Sequence, residues 1–265
     1  MLRGVRVLSG MMSVILASAA IAQNPTASDA RALDLASRSM LAMTGGVKIA
    51  DVTLQAQVTS FTGAQPENAT GRFVAKGTSE SRIDIALSKG PRAVIRNDTG
   101  AFPQGAATDA KGNLVPSALH NCWVTPSWFF PALSYLAQTN DPTLILTYIG
   151  PETRNGLSVE HLRILRYLSN QSTRATGWIE KFSATDVYLS SASLLPVAFT
   201  FNAHPDGDAG TDTATDIEFA DYQIVDGVQM PLHIQRIVER RLVLDVVVNS
   251  AVFGSGVSDA LFPVQ

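Results

Sequence analysis

Apolar and polar residues alternate along most of this chain, most clearly near its C-terminal end. Phe219-Ala-Asp-Tyr222 leads into Val225-Asp-Gly-Val228, then apolar-rich runs at 230–238 and 242–248 flank Glu239-Arg-Arg241. Three strands joined by two tight turns are predicted, too closely spaced for crossover helices and therefore antiparallel. Farther upstream, Val52, Leu54, Ala56 and Val58 alternate with Thr53, Gln55, Gln57 and Thr59. Residues 70–76 place Phe73 and Ala75 on one face, Ile83, Ile85 and Leu87 continue the pattern, and 93–96 gives a fourth strand. Gly- and Pro-bearing clusters separate these runs. Alternation with one polar face marks an antiparallel sheet packed on one side only. Strands resume at 144–149, 157–167, 186–189 and 197–202.

Helical spacing appears first at 29–43, where Leu33, Ala36, Met40 and Met43 form a stripe, with Ser28 as cap and Gly45-Gly46 as stop. Residues 97–142 break the strand pattern. Within them, 116–122 and 126–136 read as short helices, the second split or kinked by Pro131. Residues 178–182 fit either a strand or a turn of helix. The total is about ten or eleven strands with two or three helices, which suits a barrel, half-barrel or sandwich.

The N-terminus adds a location. Arg3 and Arg6 precede a mostly apolar stretch at 7–21, and Ala20-Ile21-Ala22 is a small-x-small cleavage pattern. Residues 1–22 therefore read as a secretory signal peptide, with soluble periplasmic or secreted residence after cleavage. The alternative, a membrane anchor, fits less well, because the stretch is short for a ~20-residue span and diluted by serines. The 243 residues that remain of 265 are read as one domain, 23–265, with 97–142 as an insert. Two of the 20 basic residues fall in the leader, so the remainder carries 18 basic against 23 acidic side chains. This charge argues against nucleic acid as a partner. Cys122 is the one cysteine, so no internal disulfide forms; its apolar surroundings suggest a buried thiol.

Candidate chemistry is sparse. Asp206, Asp208 and Asp212 share a glycine-bearing loop and are candidate Ca²⁺ ligands, although the spacing departs from the EF-hand pattern. The competing reading is a solvated turn. His120, His161, His204 and His233 show no metal-ligand spacing, and no nucleophile elbow, phosphate loop or H-E-x-x-H is present. The aromatic residues Trp123, Trp128, Phe129, Phe130 and Tyr135 cluster in the insert. They are candidate ligand-binding residues if the insert is a lid over an apolar cavity, and core residues if it is a plug.

Phe219-Ala-Asp-Tyr222, Val225-Asp-Gly-Val228, Met230-Pro231, Asn249-Ser-Ala-Val-Phe253 and Phe262 resemble the C-terminal part of periplasmic lipoprotein-carrier-like (LolA/LolB-like) proteins. More loosely, the chain is similar to exported proteins of soil bacteria. The first resemblance implies a mainly β fold: a strongly curved antiparallel half-barrel with helices packed on its concave face. It further implies a non-enzymatic role, binding a lipid or other apolar ligand in that concavity. Two alternatives stand beside it: an envelope structural or protein-interaction domain with a plugged cavity, and a hydrolase with dispersed catalytic residues.

Overall fold

A computed structural model describes residues 27–264. The leader and its cleavage point therefore lie outside the described residues. The chain runs through α1 (Ala30–Thr44), β1 (Asp51–Ser60), β2 (Glu67–Lys76), β3 (Glu80–Leu87), β4 (Gly90–Asn97), β5 (Gln104–Thr108) and β6 (Leu114–Pro116). It continues through β7 (Leu144–Arg154), β8 (Leu157–Arg166), α2 (Thr173–Ser183), β9 (Thr185–Ser190), β10 (Pro196–Ala203), β11 (Thr213–Val225), β12 (Val228–Val238) and β13 (Arg241–Phe253). All thirteen strands form one curved antiparallel sheet, in the order β6-β5-β4-β3-β2-β1-β13-β12-β11-β10-β9-β8-β7.

Every neighbour in that order is consecutive in sequence except β1 and β13, which meet in the middle. The C-terminal meander thus lies at the centre of the sheet. The edges are β6 and β7, and residues 117–143 cross the inner face from one to the other. The count exceeds the expected ten or eleven because β5 and β6 lie inside the 97–142 stretch. Gln104-Gly-Ala-Ala-Thr108 carries no large alternating apolar residues, so periodicity could not reveal it.

The inner face follows the predicted pattern. Val52, Leu54, Ala56, Val58, Phe73 and Ala75 are all buried in the main core. The outer face departs from it. Val74 and Ile95 point outward and are covered by the C-terminal tail through Val257 and Phe262. The Asp51 carboxylate holds that tail, accepting hydrogen bonds from the Ser255, Gly256 and Val257 amides and from the Ser255 hydroxyl. Burial opposes its ionisation, but these four donors together hold its pKa below the ordinary carboxylate value.

α1 ends as expected, with Gly45 in the left-handed region (φ 59°) and its N–H donating to the Leu41 carbonyl. Its start differs. Asp29, not Ser28, occupies the cap position, and it makes no side-chain cap bond. Instead the Leu146 amide donates to Ser28 Oγ and the Tyr148 amide to Asp29 Oδ2, at 3.0 and 2.6 Å. These residues satisfy the exposed backbone of edge strand β7.

The predicted helices at 116–122 and 126–136 are shorter 3₁₀ turns, Leu119–Cys122, Pro131–Leu133 and Tyr135–Gln138. Pro131 opens the second, and the Ser134 hydroxyl accepts from the Leu136 amide, resetting the chain before a full α-turn can form. Residues 178–182 belong to α2, capped by Ser172 Oγ. Pro231 sits on interior strand β12. The β12–β13 ladder begins only at His233, so its missing N–H leaves no pairing partner orphaned. No helix among the described residues is long and apolar enough to cross a membrane.

Candidate functional site

The insert is first a plug. Phe129 and Phe130 are fully buried, Phe129 packing edge-on to Phe73 at 5.3 Å and Phe130 against Phe253 at 5.8 Å. Each buried ring contributes roughly 2–3 kcal/mol through its apolar area. Tyr135 is buried too and donates its hydroxyl to the Trp123 carbonyl at 2.7 Å. Ser81 Oγ donates to the Pro126 carbonyl at 2.8 Å. Arg96 on β4 donates to the carbonyls of Asn121, Cys122 and Val124 and pairs with Asp98. Cys122, buried beside it, has its thiol pKa pushed up by burial.

Two concavities remain beside this plug. The first is a cleft of about 310 Å³ between the insert, β10 and β12, bordered by Trp128, Phe201, His204 and Arg236. The second is an apolar groove of about 490 Å³ between residues 102–123 and α2, bordered by Phe102, Leu119, Trp123, Trp178, Ile179 and Phe182. Phe102, Leu119 and Trp178 are 50%, 49% and 40% exposed, so three of the chain's large exposed apolar side chains gather on this one groove. His120 borders both concavities, its ring 5.7 Å from Phe182 and 5.8 Å from His204. All three tryptophans of the chain border one or the other.

The five aromatic candidates therefore separate. Trp123 and Trp128 face the groove and the cleft, whereas Phe129 and Phe130 fill the interior and Tyr135 braces the insert. Trp178, Phe182, Phe102 and Arg236 were not among the candidates. An i,i+4 aromatic pair at 178 and 182 was the available signal for the first two, and their rings stack at 5.3 Å. Arg236 was legible as a basic residue in step with Ile234 and Met230 on β12.

The acidic loop is not brought together. Asp208 accepts from the Gly210 amide and the Thr211 hydroxyl within its own turn, and Asp206 accepts from Asn121 Nδ2. Asp212 pairs with Lys181 at 2.8 Å and lies 3.1 Å from His204 Nε2. No group of three or more His, Cys, Asp or Glu among the described residues is placed to hold a metal ion. The histidines have carboxylate or carbonyl partners: His161 with Glu152 and Asp186, His204 with Asp212, His233 with Asp245, and His120 with the Pro205 carbonyl. Among the described residues none is hydrogen-bonded to a serine, the arrangement a serine hydrolase needs.

No protein-family model matches the sequence, and no curated protein matches it. Solved structures do match. A DUF1329 family protein from Desulfovibrio piger superposes with TM-score 0.58 at 11% identity, over 88% of this chain and 96% of that one. A putative outer membrane lipoprotein-sorting protein domain from Vibrio parahaemolyticus gives 0.54 at 12% identity, over 88% and 96%. A LolA superfamily protein from Nitrosomonas europaea gives 0.53 at 10%, over 88% and 97%. This chain's single open, curved antiparallel sheet, superposing over this much of each chain, has the LolA-like half-barrel fold.

Proposed function

We propose that residues 23–265 form one exported, non-enzymatic domain of the cell envelope that binds a lipid or other apolar molecule. The observation that carries this reading is the groove between Trp123 and α2, where exposed apolar side chains meet in a concavity large enough for an acyl chain. The Vibrio neighbour's name, lipoprotein sorting, supports a ligand of that chemistry. The proposed site lies at the margin of the half-barrel, because Phe129 and Phe130 occupy its middle.

The test is a titration of the delipidated chain, residues 23–265, with lauroyl compounds, read by tryptophan emission. Binding should shift the emission, and Trp178→Ala should weaken it by about ten-fold, near 1.4 kcal/mol. The filled interior favours a second reading, an envelope domain that docks a protein and holds no small ligand. Tryptophan emission indifferent to every apolar probe would select it over the first.

A further inference from the structure

β12 turns alternate residues toward the interior of the half-barrel. Val228, Met230 and Ile234 are buried there, and Arg236 is the next residue in that series. Its cross-strand neighbours are Ile217 and Leu244, both in or against the main core. A guanidinium has thus been placed on an otherwise apolar face, at the wall of the cleft.

No described residue neutralises it. Arg236 forms no ion pair with any described carboxylate, and its buried Nε has no hydrogen-bond partner. Arg96 and Arg154 also bury an unpartnered Nε, but Arg96 holds three carbonyls and Asp98, and Arg154 holds Asp216. Among the described residues Arg236 has only the Trp128 ring, 5.7 Å from its central carbon. Asp206, the carboxylate bordering the cleft, is hydrogen-bonded to Asn121. Arginine stays protonated in proteins, and a half-buried guanidinium whose Nε is cut off from water without a partner is unfavourable. A planar five-donor group in a cleft, with a ring beneath it, matches a carboxylate or phosphate.

We propose that Arg236 receives the anionic head of an amphiphile, a carboxylate or phosphate monoester, whose apolar chain lies in the neighbouring groove across His120. The proposal rests on the apolar-ligand reading and adds charge selection to it. The Trp128 ring lies 5.7 Å from the guanidinium carbon, and the cleft volume of about 310 Å³ leaves room for a small head group and not for a bulky one.

The experiment compares laurate, lauroyl lysophosphatidate and uncharged monolaurin, below their micelle concentrations, by calorimetry on the delipidated wild-type chain, with acetate and inorganic phosphate alone as controls. One or both charged amphiphiles should bind about ten-fold tighter than monolaurin. Whichever is preferred identifies the head as carboxylate or phosphate. Arg236→Met should abolish the preference, bringing the charged amphiphiles to the same affinity as monolaurin, and Arg236→Lys should keep part of it. Equal binding of charged and uncharged probes by the wild type overturns the charge assignment alone, whether or not the Met variant folds. A preference that survives in Arg236→Met overturns it as well. Acetate or phosphate binding as tightly as the amphiphiles overturns the amphiphile and leaves a small-anion site. Failure of every lauroyl compound to bind sinks the apolar-ligand reading itself.

Discussion

His161 on β8 lies between Glu152 of β7 and Asp186 of β9, with Nδ1 at 2.6 Å from one carboxylate and Nε2 at 3.0 Å from the other. Burial works against the charged ring, but the bonds to Asp186 and Glu152 outweigh it, and the pKa is raised above the ordinary histidine value. Asp186 is held below the usual carboxylate range by the same contact and by Arg163, despite its own burial. The folded state therefore binds the His161 proton more tightly than the unfolded chain does. Stability from this triad is complete below the unfolded histidine pKa, about 6.5, and is lost as pH rises through the raised folded value. His161→Phe should cost about 1–3 kcal/mol at pH near 5 and less at pH near 8.5, by urea melts at both values. A loss equal at both would mean the ring is neutral in the fold. The alternation of 157–167 already put His161 on a sheet face. It could not supply Glu152 and Asp186, because partners on flanking strands depend on register.

At the level of elements, the hairpin turns divide by how they were specified. Asp226 and Gly227 have φ of 49° and 83°, and Asn155 and Gly156 have 50° and 80°, two-residue turns with the sequence such turns require. Glu239 and Arg240 adopt the same geometry at 49° and 62° with neither Gly nor Asn. The β12–β13 ladder on one side and Glu239 Oε1 on the Ala214 amide hold them there. Arg240→Gly removes a side chain from a left-handed position and should raise stability by about 0.5–1 kcal/mol, whereas Gly227→Ala should lower it by about 1. Thermal melts of the two variants give the comparison, and a loss of stability in Arg240→Gly would count against strain at that turn. Sequence placed this second turn correctly from the flanking strands, though its own residues argued for nothing.

For the whole molecule, the decisive feature is the crossing segment that ties the β6 edge to the β7 edge through the interior. Arg96 is its main polar fastening, and removing it would orphan the buried Cys122 carbonyl and the half-buried Asn121 and Val124 carbonyls at once. Arg96→Met should cost about 2–3 kcal/mol. Hydrogen exchange should quicken in residues 119–138 before it does in β1 and β13. Uniform acceleration across the sheet would show that the insert and sheet open as one unit. The aromatic residues of 123–136 were legible as a cluster, and the structure makes most of them core. How many of these rings the curved sheet encloses is a number no local pattern contains.

The sequence by itself determined the strand class, the apolar face of β1 and β2, the antiparallel sense and the Asp226-Gly227 turn. Each follows from a period of two or from backbone preferences confined to a few neighbouring residues. Tertiary structure alone decided that β1 pairs with β13 at the centre of the sheet, that 126–136 forms 3₁₀ turns, and that Arg236 stands unpartnered beside Trp128. Those outcomes depend on register and packing between residues far apart in the chain, where the energy of a contact exists only once both partners have been brought to the same face.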